Sequence, residues 1–100
     1  MTKEQILAMK VGEKLDDLVA DTLGLPKPSY NTPTFSHYYS LNISDAFQIV
    51  EKMDTPFILT RLVTGTRYRA TFNWSFENEV EAKTVSEAIC KAALLAMLEK

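Results

Sequence analysis

The chain has 100 residues, 46% of them apolar and 24% charged, with a formal net charge of −2. That length supports one domain with a modest core, burying roughly 60–65% of the surface its unfolded chain exposes, and the composition excludes a disordered polymer. Net acidity argues against non-specific nucleic-acid binding, while the single cysteine, Cys90, excludes an intrachain disulfide and, with one histidine, a zinc site unless carboxylates supply nearly all its ligands.

The N-terminal stretch MTKEQILAMK is charged and amphipathic, with no apolar run of signal-peptide length. No stretch approaches the roughly 18 apolar residues of a membrane span, so a cytoplasmic protein is expected. Thr2 and Gln5 have the spacing of a capping box, which predicts a short helix from Lys3 to about Lys10. Gly12 interrupts it. A second helix follows, with Leu15, Leu18, Val19 and Leu23 on one stripe, Gly24 as its left-handed terminator and Pro26 blocking continuation. Residues 25–41 carry Pro26, Pro28 and Pro33 without helical or strand period. They predict a long loop rich in aromatic side chains: Tyr30, Phe35, Tyr38 and Tyr39, with His37 among them.

Asn42 and Ser44 both suit the N-cap of a helix running to about Met53, with Ala46, Ile49, Val50 and Met53 toward the core. Residues 56–63 and 67–74 then read as two strands around Thr64-Gly65. The first is apolar on both faces, which predicts a sheet covered on both sides. A short strand over 79–83 leads into Thr84 and Glu87, spaced as a second capping box, and a final helix over 85–99. That helix is rich in alanine, which allows close approach to a sheet. The order predicts an α+β domain with helices on both faces of a small, mainly antiparallel three-stranded sheet.

Three stretches, YSLNISDAFQIVEKM (39–53), YRATF (68–72) and AKTVSEAICKAALLAMLEK (82–100), together with the opening KEQILAMKVGEKLDDLVADTLG (3–24), resemble the small bacteriophage and prophage proteins of the phage ABA-sandwich domain family. The likeness covers nearly the whole chain outside residues 25–38. It implies a three-layer α/β/α sandwich and the cytoplasm of a bacterial host as the setting, and it implies no reaction. Asn42 stands where the family pattern has Asp, and Phe47 where it has Trp. These changes keep a helix cap and an aromatic core residue.

All three arginines, Arg61, Arg67 and Arg69, fall within nine residues, and no Asp or Glu occurs between Asp54 and Glu77. Arg67 and Arg69 share a strand face with Asn73 beyond them. A two-residue loop places Arg61 opposite Tyr68; a three-residue loop places it beside the other two. Guanidinium groups suit phosphate or carboxylate. With Tyr38 and Tyr39 from the aromatic loop as stacking or contact groups, these six residues form the candidate ligand site. The competing assignment is internal: a hairpin that pairs Phe72 with Val80 puts Thr71 opposite Glu81, Arg69 diagonal to Glu81 and Glu79 across from Asn73.

Other residue types carry less. His37 has no nucleophile partner in a recognised motif, Cys90 reads as a small buried side chain, and Glu77, Glu79 and Glu81 are too few oxygen ligands for a hard cation. Gly12, Gly24 and Gly65 form no phosphate loop. The expectation is a non-enzymatic binding protein without cofactor. One reading is an anti-defence protein that sequesters an anionic, nucleotide-type immune signal through the arginines. The alternative is a protein–protein module that inhibits a host protein or serves as a phage accessory factor. Association into a homo-oligomer is a further source of burial for so small a core.

Overall fold

The computed structural model describes residues 2–26, 38–62, 67–73 and 78–98. The elements run α1 (Lys3–Ala8), α2 (Glu13–Leu23), α3 (Ile43–Met53), β1 (Phe57–Leu62), β2 (Arg67–Phe72), β3 (Val80–Ala82) and α4 (Val85–Leu98). Among the described residues, four helices and a three-stranded antiparallel sheet make an α+β fold, compatible with the expected sandwich.

Both predicted caps of the first half are made. Thr2 Oγ1 accepts the Gln5 N–H at 3.2 Å and Gln5 Oε1 accepts the Thr2 N–H at 2.8 Å. Helix α1 then stops at Ala8, earlier than the pattern suggests, because Met9 turns extended. Gly12 has φ 138° and ψ −158°, a region reserved almost wholly for glycine. Gly24 closes α2 in the left-handed conformation as expected. For α3 the choice between caps falls on Asn42, whose side chain accepts the N–H groups of Ser44 and Asp45. The second capping box is made on one side: Thr84 Oγ1 accepts the Glu87 N–H at 3.2 Å, while the Glu87 carboxylate turns to Lys91.

Helix α4 is the centre of the molecule. Ser86 and every residue from Ala88 to Ala96 are buried, so it packs on β2 and β3 on one side and receives α1, α2 and α3 on others. Its small side chains Ala88, Ala92, Ala93 and Ala96 permit that crowding. Tyr68, Ala70 and Phe72 of β2, with Val80 and Ala82 of β3, form the sheet's side of the core. The strand order is β1-β2-β3. Where the sequence suggested a strand covered on both faces, β1 lies at an edge, with Leu59, Thr60 and Arg61 exposed. It is anchored by Phe57, whose ring meets that of Phe72 with centroids 4.8 Å apart.

Candidate functional site

Register decides where the arginines point. Arg61 pairs with Tyr68, so it shares the Tyr68 face and stands on the opposite side of the sheet from Arg67 and Arg69. The residues of its connection, 63–66, lie outside those described. Strand β3 pairs Arg69 with Glu81 and Ala70 with Val80. That register is two residues from the one pairing Phe72 with Val80. A two-residue change preserves the faces and brings Arg69 directly opposite Glu81.

The result is a charge ladder. Arg67 Nε donates to Glu81 Oε1 at 2.9 Å. Arg69 Nε contacts Glu79 Oε1 at 2.9 Å, and its Nη2 lies 3.8 Å from Glu81 Oε2. Thr71 Oγ1 donates to Glu79 Oε2 at 3.5 Å. Two guanidinium groups thus face two carboxylates. The side chains of the ladder are 29–44% exposed, so each contact contributes only about 0.2–1 kcal/mol. Asn73 follows β2 with φ 54° and donates its N–H to the Pro56 carbonyl at 2.7 Å.

Tyr39 does not join this face. Tyr39 is wholly buried and donates its hydroxyl to the Pro26 carbonyl at 2.7 Å. Burial, then the nearby Asp45 and Asp16 carboxylates and the Cys90 thiol, push its pKa up to about 12. As a ligand contact Tyr39 is therefore corrected to a core residue. Tyr38 donates its N–H to Asp45 Oδ2 at 2.9 Å, which ties it to the first turn of α3. Of the six candidates, the fold brings together Arg67 and Arg69. Tyr30, Phe35, His37 and Glu77 lie outside the described residues.

Two features carry more structure than their sequence patterns announced. The first is a polar clamp around Asp16, which is fully buried. Asp16 Oδ1 accepts the Ser40 N–H at 2.7 Å, and Ser40 Oγ accepts the Gly12 N–H at 2.9 Å. It fastens the α1–α2 connection to the turn before α3. The second is Lys91, 4% exposed on α4. Its Nζ donates to Glu87 Oε2 at 2.7 Å and to the Leu7 carbonyl at 3.0 Å. The i,i+4 spacing of Glu87 and Lys91 is visible in the sequence; the Leu7 contact, spanning the chain, is not. Lys91 lines a cleft of about 590 Å³ whose walls are residues Leu7–Lys10, β3 and the start of α4, with Arg67 at its margin.

Cys90 is fully buried as expected, and burial followed by the Asp16 and Glu87 carboxylates pushes its thiol pKa well above the usual value, against a lowering by Lys91. On α3, Ala46 and Ile49 are buried and Val50 and Met53 pack against the core, as the helical stripe predicts. Phe47 does not join them. It is 40% exposed, beside Ile43 at 51% and Leu41 at 61%. The expected aromatic core residue is instead a surface aromatic. Ile43 and Phe47 are one helical turn apart and share an outward face.

An α+β fold of helices and a small antiparallel sheet, with a neutralised charge ladder on the sheet and an apolar outer face on α3, defines the class. The model of the Phage ABA sandwich domain family matches residues 4–94, and the chain belongs to that family as a small phage protein. A phage protein from Bacillus cereus ATCC 14579, known from its crystal structure, has the same fold with a TM-score of 0.66; it is 24% identical, over 93% of this chain and 91% of that one. Among curated proteins none matches. No described helix is long and apolar enough to cross a membrane.

Proposed function

We propose that this phage protein is a non-enzymatic binding protein that docks on a host protein through α3. The observation that supports this is the grouping of Leu41, Ile43 and Phe47 at 61, 51 and 40% exposure. Burial of such side chains is worth about 1.5–3 kcal/mol each, and an amphipathic helix laid into an apolar groove is a recurrent mode of recognition. The partner in this reading offers such a groove. Affinity capture from bacterial lysate tests it with the variants Ile43→Asp and Phe47→Asp. Both positions point away from the core, so the fold survives and capture of a stoichiometric partner is lost. Capture that is indifferent to both variants rejects the reading.

A second reading is an anti-defence protein that sequesters a nucleotide-type immune signal. What favours it is the parallel display of Arg67 and Arg69, 44 and 40% exposed. What weighs against it is the occupation of both by Glu81 and Glu79, and the placement of Arg61 on the other face. A thermal-shift series with cyclic dinucleotides separates the two. A ligand at 100 times its dissociation constant adds about 2.7 kcal/mol. A rise in Tm abolished by Arg67→Ala with Arg69→Ala moves this reading to the front; no rise leaves the ladder as structure. Self-association of the chain is read in the same samples by light scattering.

A further inference from the structure

The geometry points to a site for a small phosphorylated molecule in the cleft between the α1–α2 connection, β3 and the start of α4. This goes beyond both readings above. It needs neither the outer face of α3 nor Arg67 and Arg69 as a ligand-gripping pair.

The cleft's charge is the first observation. Its cationic lining is Lys10, Arg67, Lys83 and Lys91, against Glu79, Glu81 and Glu87. Each of the acids is already engaged: Glu81 by Arg67 at 2.9 Å, Glu79 by Arg69 at 2.9 Å and Glu87 by Lys91 at 2.7 Å. Lys10 and Lys83 have no carboxylate partner among the described residues. Two uncompensated ammonium groups therefore stand on one cleft of a protein whose net charge is −2.

The second observation is independent of the rim. The Lys91 side chain is 6% exposed, and an ammonium group carries three N–H donors. Two are used, on Glu87 Oε2 and the Leu7 carbonyl. The third has no acceptor among the described residues. Lys91 lines the cleft, so the remaining donor is available to an acceptor bound there as a charge-assisted hydrogen bond. An oxygen of an anion placed there completes the set, while Lys10 and Lys83 balance its charge.

The chemistry of the lining narrows the class. Two or three ammonium groups match a dianion better than a monoanion, and lysine binds phosphate as a compact point charge. The remaining wall, with Leu7, Met9, Val80 and Ala82, is aliphatic and has no aromatic ring among the described residues. That wall accepts a compact body by contact, without a platform for stacking a nucleobase. A volume of about 590 Å³ falls within the usual range of small-molecule sites.

Titration calorimetry on the full chain at low salt tests this, with inorganic phosphate and pyrophosphate as probes and citrate as the carboxylate comparison. The expected result is saturable one-to-one binding of pyrophosphate, weakened about tenfold or more in Lys10→Gln with Lys83→Gln and unchanged in Lys52→Gln, which removes a charge outside the cleft. Lys91→Met keeps the aliphatic stem and abolishes binding. If that variant is destabilised, the lysine pair alone decides the question. Absence of saturable binding by either phosphate probe overturns the site, as does a Lys10 and Lys83 double variant that binds like the parent. Citrate binding tighter than pyrophosphate overturns the phosphoryl assignment.

Discussion

Replacing Gly12 by alanine isolates one piece of backbone geometry. Gly12 has φ 138° and ψ −158°, where a residue with a Cβ is strained by about 1–3 kcal/mol. A Cβ built there meets nothing within 4 Å, so steric collision contributes nothing. Alanine also stiffens the unfolded chain, which returns about 0.4–1 kcal/mol. Net of that gain, the strain leaves a destabilisation of about 1–2 kcal/mol, which corresponds to a fall in Tm of roughly 4–16 °C for a domain of this size. Gly24→Ala is the internal comparison. Its φ of 69° and ψ of 32° are left-handed helical and its Cβ also meets nothing, so the smaller αL penalty of about 1–2 kcal/mol, offset by the same unfolded-state gain, leaves about 0.5–1 kcal/mol. Urea denaturation of both variants gives the order. Equal losses, or a greater loss at Gly24, refute the assignment of the α1–α2 connection to a glycine-only conformation.

Three further outcomes follow from the same geometry. A double-mutant cycle on Arg69→Ala and Glu79→Ala gives a coupling of about 0.2–1 kcal/mol that shrinks in high salt; coupling indistinguishable from zero at low salt contradicts the ladder. Tyr39 keeps its proton to about pH 12 in the folded chain, whereas the unfolded chain releases it near pH 10. Its contribution is thus steady below pH 10 and is lost as pH rises from 10 toward 12. The stability advantage of the parent over Tyr39→Phe, about 1 kcal/mol at neutral pH from the bond to Pro26, therefore shrinks and reverses in that window, and an advantage constant with pH contradicts it. Cys90, buried and with its thiol pKa raised, reacts with a thiol reagent at pH 8 only at the rate of unfolding, and prompt native labelling contradicts its place in the core.

Local rules read much of this fold directly. The Thr2 and Gln5 cap, the Gly24 stop and the buried stripe of α3 are written in neighbouring residues, and neighbours determine them, whereas the sequence offers Asn42 and Ser44 alike and the structure selects Asn42. The site was less legible because it depends on pairing. A strand alternates faces whatever its partner, so alternation alone puts Arg67 and Arg69 on one face, but whether Glu81 stands opposite Arg69 or Thr71 is a matter of pairing register, which alternation does not carry. The face of Arg61 likewise depends on the register of β1 against β2. Tyr39 shows the opposite difficulty. Its neighbours Tyr38, Ser40 and Leu41 have no period, and only the distant Pro26 carbonyl and the packed core reveal that its ring is interior. Phe47 looks like a core residue by type, yet its helix position relative to Ala46 and Ile49 turns it outward.

The most direct measurement is the affinity of the purified chain for the host protein it captures, compared between Phe47→Ala and the double variant Arg67→Ala with Arg69→Ala. An anchor of a protein interface loses about 2 kcal/mol or more on truncation, so Phe47→Ala is expected to weaken binding by more than about tenfold while the arginine variant stays close to the parent. Binding that survives Phe47→Ala and collapses with the arginines contradicts docking through α3 and returns function to the charged face of the sheet.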